Sequence, residues 1–181
     1  TFAITDPTAD RTITFPDASF TVPSTGGKIL QVVQAVKTDT ASTTSAHGSS
    51  VDISGMSVAI TPSASDSDIF ILSYLCLSNS TGYRVSVDLL RDTTNICQGA
   101  ASSSRTNSTL GVNGDATNIS MASLVFVDVP GTTSATTYKL QWATDSGGTA
   151  YLNRTSNDAD QADRFRTASS IIAMEISGGL S

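Results

Sequence analysis

The chemically capable side chains are few. His47 is the single histidine, and Glu175 the single glutamate, against fifteen aspartates. A nucleophilic hydroxyl would need an imidazole and a carboxylate in contact with it. With 28 serines around one histidine, such an array can be drawn many ways. No Gly-x-Ser-x-Gly elbow singles one out, so His47 reads as an exposed residue of the loop Thr38 to Ser50. It has no neighbouring cysteine and no second histidine at a metal-ligand spacing.

A glycosidase would need two carboxylates flanking a sugar cleft. Glu175 lies in an alternating segment that reads as a strand, and most aspartates lie in turns, where their side chains bond the local backbone. A deep sugar cleft also calls for aromatic platforms, and the chain has one Trp and four Tyr. Asp66-Ser-Asp68 and Asp158-Ala-Asp160-Gln-Ala-Asp163 have the spacing of calcium loops, but not the glycine turn and closing glutamate of an EF-hand; they read as solvated turns. Cys76 lies inside an apolar run and reads as a buried free thiol, with Cys97 as the other cysteine. Asn79, Asn107, Asn118 and Asn153 open Asn-x-Ser/Thr triplets, which so hydroxyl-rich a chain produces by chance. The expectation is therefore no catalytic, metal-binding or cofactor-binding residue, and no cofactor.

The elements that must position any site are strands. Ser and Thr together make 54 of 181 residues. Thr suits a pleated surface through its branched Cβ, and Ser suits turns. Lys occurs only at 28, 37 and 139, so helix-surface residues are scarce. The net charge of −6 and seven scattered arginines argue against a nucleic-acid partner, which needs a basic face. Arg164 and Arg166 follow the Asp158–Asp163 block and should be neutralised by it. The apolar runs fall short of the roughly 20 residues needed to span a bilayer as a helix, so no membrane insertion is expected.

Apolar alternation and turn residues predict about eight strands after residue 27. They cover 29–36, 51–60 (broken near Gly55), 69–77, 83–90, 95–98, 119–129, 136–144, 149–153 and 169–176, with some of the shorter pieces pairing as hairpins. The run 69–77 is apolar on both faces and should be the most buried. In 83–90, Tyr83, Val85, Val87 and Leu89 share one face, while Arg84, Ser86 and Asp88 share an open one. Long polar loops are expected at Thr38–Ser50, Gln98–Thr117 and Asn153–Thr167. The set makes an all-β, antiparallel β-sandwich, with a jelly roll as the leading version over an immunoglobulin-like one.

Residues 1–25 differ. Phe2-Ala-Ile4, Thr12-Ile-Thr-Phe15 and Phe20-Thr-Val22 carry apolar residues with no local cover. A lone two-stranded ribbon is marginal in water, so copies from other chains are the expected cover.

Taken together, several phrases resemble a known family. Ile4-Thr-Asp-Pro-Thr-Ala-Asp-Arg-Thr-Ile-Thr-Phe-Pro-Asp-Ala-Ser19 resembles a segment of the tail-fibre proteins of marine phages, cyanophages among them. Gly27-Lys-Ile-Leu-Gln-Val-Val-Gln34, Ile53-Ser-Gly-Met-Ser-Val-Ala-Ile-Thr-Pro62, Leu89-Leu-Arg-Asp-Thr-Thr-Asn-Ile96, Thr133-Ser-Ala-Thr-Thr-Tyr138 and Ala168-Ser-Ser-Ile-Ile-Ala-Met-Glu-Ile176 are similar to its globular C-terminal region. The resemblance implies a homotrimeric fibre: a neck over 1–25, a head over 26–177, similar in architecture to complement-C1q and tumour-necrosis-factor jelly rolls, and a flexible tail over 178–181. It implies a virion location on tail or capsid surface, assembly in the host cytoplasm, contact with other virion proteins through the N-terminal side, and attachment to a host surface glycan or protein through one of the three long loops. It brings no catalytic residue. A capsid decoration protein is the alternative, and a polysaccharide-degrading enzyme a third.

Overall fold

The computed structural model describes residues 29–113 and 115–178. The expected neck over 1–25 and the end of the expected tail lie outside the described residues.

Eleven strands are described: β1 Ile29–Lys37, β2 Ala41–Thr43, β3 Val51–Ile60, β4 Asp68–Asn79, β5 Arg84–Arg91, β6 Thr94–Asn95, β7 Leu110–Asn113, β8 Ser120–Asp128, β9 Thr136–Thr144, β10 Ala150–Leu152 and β11 Ser169–Ile176. Among the described residues there is no helix. One sheet runs β1-β11-β4-β8, and β10 and β2 extend it beside the far end of β4. The other runs β3-β9-β5, with β7 and β6 on the outer edge of β5. All these strand pairs are antiparallel. Following β1, β3, β4, β5, β7, β8, β9 and β11, the chain crosses between the sheets in the order of a jelly roll. The expected fold class holds.

The core lies between the sheets. Ile69, Ile71, Leu75 and Leu77 of β4 meet Val85, Val87 and Leu89 of β5, with Tyr138, Leu140 and Trp142 of β9 beside them. Within β3, Ile53 and Met56 are both buried although they lie three apart. A strand of period two cannot do that unaided. The register shifts between Asp52 and Ser57, and Gly55 sits at φ +82°. Between these positions β3 advances five residues while β9 advances two, so three extra residues bulge out around the glycine, and β3 bends rather than breaks there.

Three expectations need correction. The loops Thr38–Ser50 and Gln98–Thr117 contain β2 and β7, and the return strand expected at Asn95–Gln98 shrinks to Thr94–Asn95. On β5, Ser86 and Asp88 are buried rather than open, because the two loops fold across that side of the sheet. On β4, the outward side chains Phe70 and Leu72 are only half-buried and Tyr74 is exposed.

That exposure belongs to a larger pattern. Pairing aligns Val32, Met174, Phe70 and Val127 in one outward row across the sheet, and Gln34, Ile172, Leu72 and Val125 in the next. A third row holds Val36, Ser170, Tyr74 and Ser123. None of the twelve is charged. Val125 is 60% exposed and nearby Met121 71%.

Candidate functional site

The opposite outer face is polar from the backbone outward. Register places Asp52, Gln141 and Asp88 in one row of β3, β9 and β5. The Asp52 carboxylate accepts from Gln141 Nε2 at 2.7 Å and Lys139 Nζ at 2.9 Å. These bonds, led by Gln141, hold its pKa below the usual carboxylate range. Asp88 is 6% exposed. Its oxygens accept from Gln98 Nε2 at 3.0 Å and Ser50 Oγ at 3.4 Å, one donor from each covering loop.

His47 sits at the junction of these parts. Its loop is pinned to the end of β9 by backbone bonds from His47 N to Thr144 O (3.1 Å) and Thr144 N to Ser45 O (2.8 Å). Its ring lies 3.0 Å from Ser86 Oγ through Nδ1 and 3.1 Å from Asp145 Oδ1 through Nε2. Asp145 also receives Arg84 N at 2.9 Å. His47 is thus a half-buried clamp, not an exposed loop residue. The hydroxyl–imidazole–carboxylate array that the sequence left as one pairing among many does form.

Its surroundings are those of a clamp. Ser86 is only 5% exposed. Its strand is paired on both edges over Val85–Val87, to β7 and β9. Ladder bonds on both sides occupy the local N–H donors that would otherwise stabilise an oxyanion.

A cavity of about 560 Å³ opens above this floor, lined by His47, Ser50, Asp88, Gln98, Arg105 and Gln141 among others. A second, of about 610 Å³, shares His47, Arg105 and Thr106 and continues toward Arg84, Ser86 and Asp145. Arg105 forms the shared wall. It is held at a turn by Arg105 N to Ser102 O at 3.1 Å and Arg105 Nη1 to Ser102 Oγ at 3.0 Å. Every other described lysine and arginine has a carboxylate within 4 Å, and Arg105 has none.

The other sequence candidates are structural. Glu175 is fully buried, and accepts from Ser63 N and Oγ at 2.6 Å, Ser67 Oγ at 2.7 Å and Gln31 Nε2 at 2.5 Å. Burial pushes its pKa up, but these donors outweigh it and bring the pKa down to about 2. Asp158 pairs with Arg154 and Arg166, and Asp163 with Arg164, as the charge pattern led us to expect. Asp68 is buried at the start of β4. Among the described residues, no three His, Cys, Asp or Glu side chains group as metal ligands. Cys76 and Cys97 are free thiols, and Cys76 is buried. Asn79 and Asn153 are wholly buried, out of reach of any modifying enzyme. Asn153, at φ +61°, donates to Lys37 O and Asp39 O and accepts from Ser169 Oγ.

The three long loops do not converge. Thr38–Ser50 and the first half of Gln98–Thr117 share the polar cleft. Asn153–Thr167 lies elsewhere: Phe165 and Thr167 join Tyr74, Cys76 and Met121 around a cavity of about 250 Å³ at the apolar face.

No protein-family model matches the chain, and no curated protein matches it in sequence. Among solved structures, the infectious bursal disease virus VP2 subviral particle is similar at 16% identity, with a TM-score of 0.39 over 82% of this chain. The matched region is 38% of the VP2 chain. A likeness so distant carries no argument about what this chain does.

Proposed function

We propose that the chain is a non-enzymatic structural and attachment module of a phage virion, a fibre head that assembles as a homotrimer and meets the host surface through its polar outer face. The observation that carries this reading is the division of one jelly roll into two unlike outer faces. The rows of β1, β11, β4 and β8 present an uncharged, largely apolar surface. Contiguous apolar surface beyond a few hundred Å² marks an interaction site on a soluble protein.

A second copy is the occupant that fits. The chain carries a net charge of −6, so copies approach each other best through a patch without charge. The patch is a sheet face, and sheet faces pack on one another. β1, at whose start the N-terminal extension enters, is the edge strand of this same sheet. Three copies turning this face toward a common axis would bury all three and bring their extensions together. The two loops over the opposite sheet would then point away from the axis, where a surface ligand can reach them.

Light scattering on the purified chain tests the assembly. The expected mass is three times the 18.7 kDa of one chain; a monodisperse monomer at micromolar concentration overturns it. Competition with the phage tests the role: the purified chain should block adsorption, whereas a decoration protein would not.

A further inference from the structure

We infer that the cleft between the loops Thr38–Ser50 and Gln98–Thr109 is a binding site for carboxylated sugars, with Arg105 as the anchor for the carboxylate and Asp88 as the acceptor for ring hydroxyls. The inference rests on the attachment reading and names its ligand class.

The unpaired guanidinium is the first ground. In a chain with sixteen acidic residues against ten basic ones, seven of the eight described lysines and arginines are matched to carboxylates. Arg105 alone is left, and it stands on the wall between two cavities. A guanidinium offers paired N–H donors that match a carboxylate's two oxygens.

The lining is the second ground. Around Arg105 stand Ser104, Thr106 and Asn107, and facing them Asn95, Gln98 and Gln141. These are neutral donors and acceptors of the kind that read hydroxyl groups. Asp88 on the floor is bonded only to neutral donors, the longer contact being 3.4 Å to Ser50, so its carboxylate still has room to accept. No Phe, Tyr or Trp side chain lines this cavity. A neutral sugar would therefore find no stacking platform, and charge has to supply the affinity. A volume of about 560 Å³ falls within the usual range for small-ligand sites.

The floor is also pre-formed. His47 fixes the first loop to Ser86 and Asp145, and Thr109 fixes the second through Thr109 N to Val87 O at 3.0 Å and Leu89 N to Thr109 Oγ1 at 3.0 Å. Binding then requires little ordering of the walls.

The test uses the full chain and titrates it by nuclear magnetic resonance with oligogalacturonate, oligomannuronate and sialyl-lactose, alongside fully methyl-esterified oligogalacturonate and maltopentaose as neutral probes. At least one acidic probe should shift amides of residues 45–50 and 98–109, and methyl esterification should weaken binding at least tenfold. R105A should also weaken it at least tenfold, while R105K keeps part of it. Arg105 is exposed, so these variants should keep the wild-type circular dichroism spectrum. Binding by none of the acidic probes, equal binding of the ester, or full binding by R105A overturns the inference. Adsorption competition with R105A separates the two levels: a chain that still blocks the phage keeps the attachment reading while this site fails.

Discussion

The two outer faces of this sandwich are both built from antiparallel strands, yet one is left bare and the other is roofed. Outward from β4 stand Phe70 and Leu72, half-buried, and Tyr74, exposed, with Phe165 and Thr167 reaching only the Tyr74 end. Outward from β5 stand Ser86 and Asp88, polar and yet buried, under two loops that bond to them. Apolar side chains on a surface wait for a flat partner; polar side chains under loops make a shaped, hydrogen-bonded floor. The difference teaches that burial and polarity report different things here: the bare face looks to assembly, the roofed face to a small ligand.

The sharpest way to break this contrast is to charge the bare face. Val125 ends the middle row, beside Leu72, and is well exposed, so V125D leaves the fold of a single copy intact. In an assembly it would bury unpaired carboxylates against each other, which is among the costliest changes an interface can suffer. Light scattering should show the mass fall to one third, with the circular dichroism spectrum unchanged. An unchanged mass would mean that the apolar rows are not where copies meet. R105A, on the other face, should leave the mass as it was.

Next in size is the effect of Glu175, which ties the turn Thr61–Ser67 to the sheet that carries the bare face. Its pKa is lowered from an ordinary 4.5 to about 2, because four bonds favour the charged form more than burial opposes it. A group depressed in this way stabilises the fold above its unfolded value, and that stability fades as pH falls from near 5 toward 2. The contribution is on the order of 2 kcal/mol. E175Q should therefore lower the melting temperature at pH 7 by about 4–8 °C for a domain of this size. The gap between E175Q and wild type should narrow below pH 4 and close as pH falls through about 2. A gap that stays constant with pH would assign the loss to packing rather than to charge. Ligand binding at the cleft should not change.

Much of this division was legible in the sequence, and the part that was not is non-local. Strands with three or more apolar residues on one face, such as β9 and β11, emerge with their observed ends. β2 has no such residue, and β7 has only Leu110 and Val112 inside a Ser/Gly/Asn-rich stretch, so neither stood out. The double-sided apolarity of β4 was visible, but alternation does not say whether the second face meets a layer of the same chain or another chain. Ser86 and Asp88 read as open because nothing near them in sequence announces a roof. Their cover comes from Ser50 and His47, nearly forty residues away, and from Gln98. Arg105 likewise reads as one scattered arginine; only pairing all the other described cations in space leaves it alone.

The smallest expected effect concerns the roof itself. His47 bonds Ser86 on one side and Asp145 on the other, and two readings compete for that geometry. A clamp stiffens the cleft wall; a nucleophile would hydrolyse an ester. H47A removes two side-chain bonds but leaves the backbone bonds from His47 N and Thr144 N and the contact from Arg84 N to Asp145. The loss should be about 1 kcal/mol, since a typical internal hydrogen bond adds little net stability and Asp145 remains partnered. It should be local: amide exchange at His47 and Thr144 should quicken roughly five- to tenfold, while β4 and β11 keep their protection. Ester hydrolysis supplies the opposing readout. Wild type, S86A and H47A should release p-nitrophenol from its acetate at the same background rate, because the β5 ladders occupy the backbone N–H donors beside Ser86. A wild-type rate well above both variants would turn the roofed face from a binding floor into a catalytic one, and the contrast between the faces would then be assembly against chemistry.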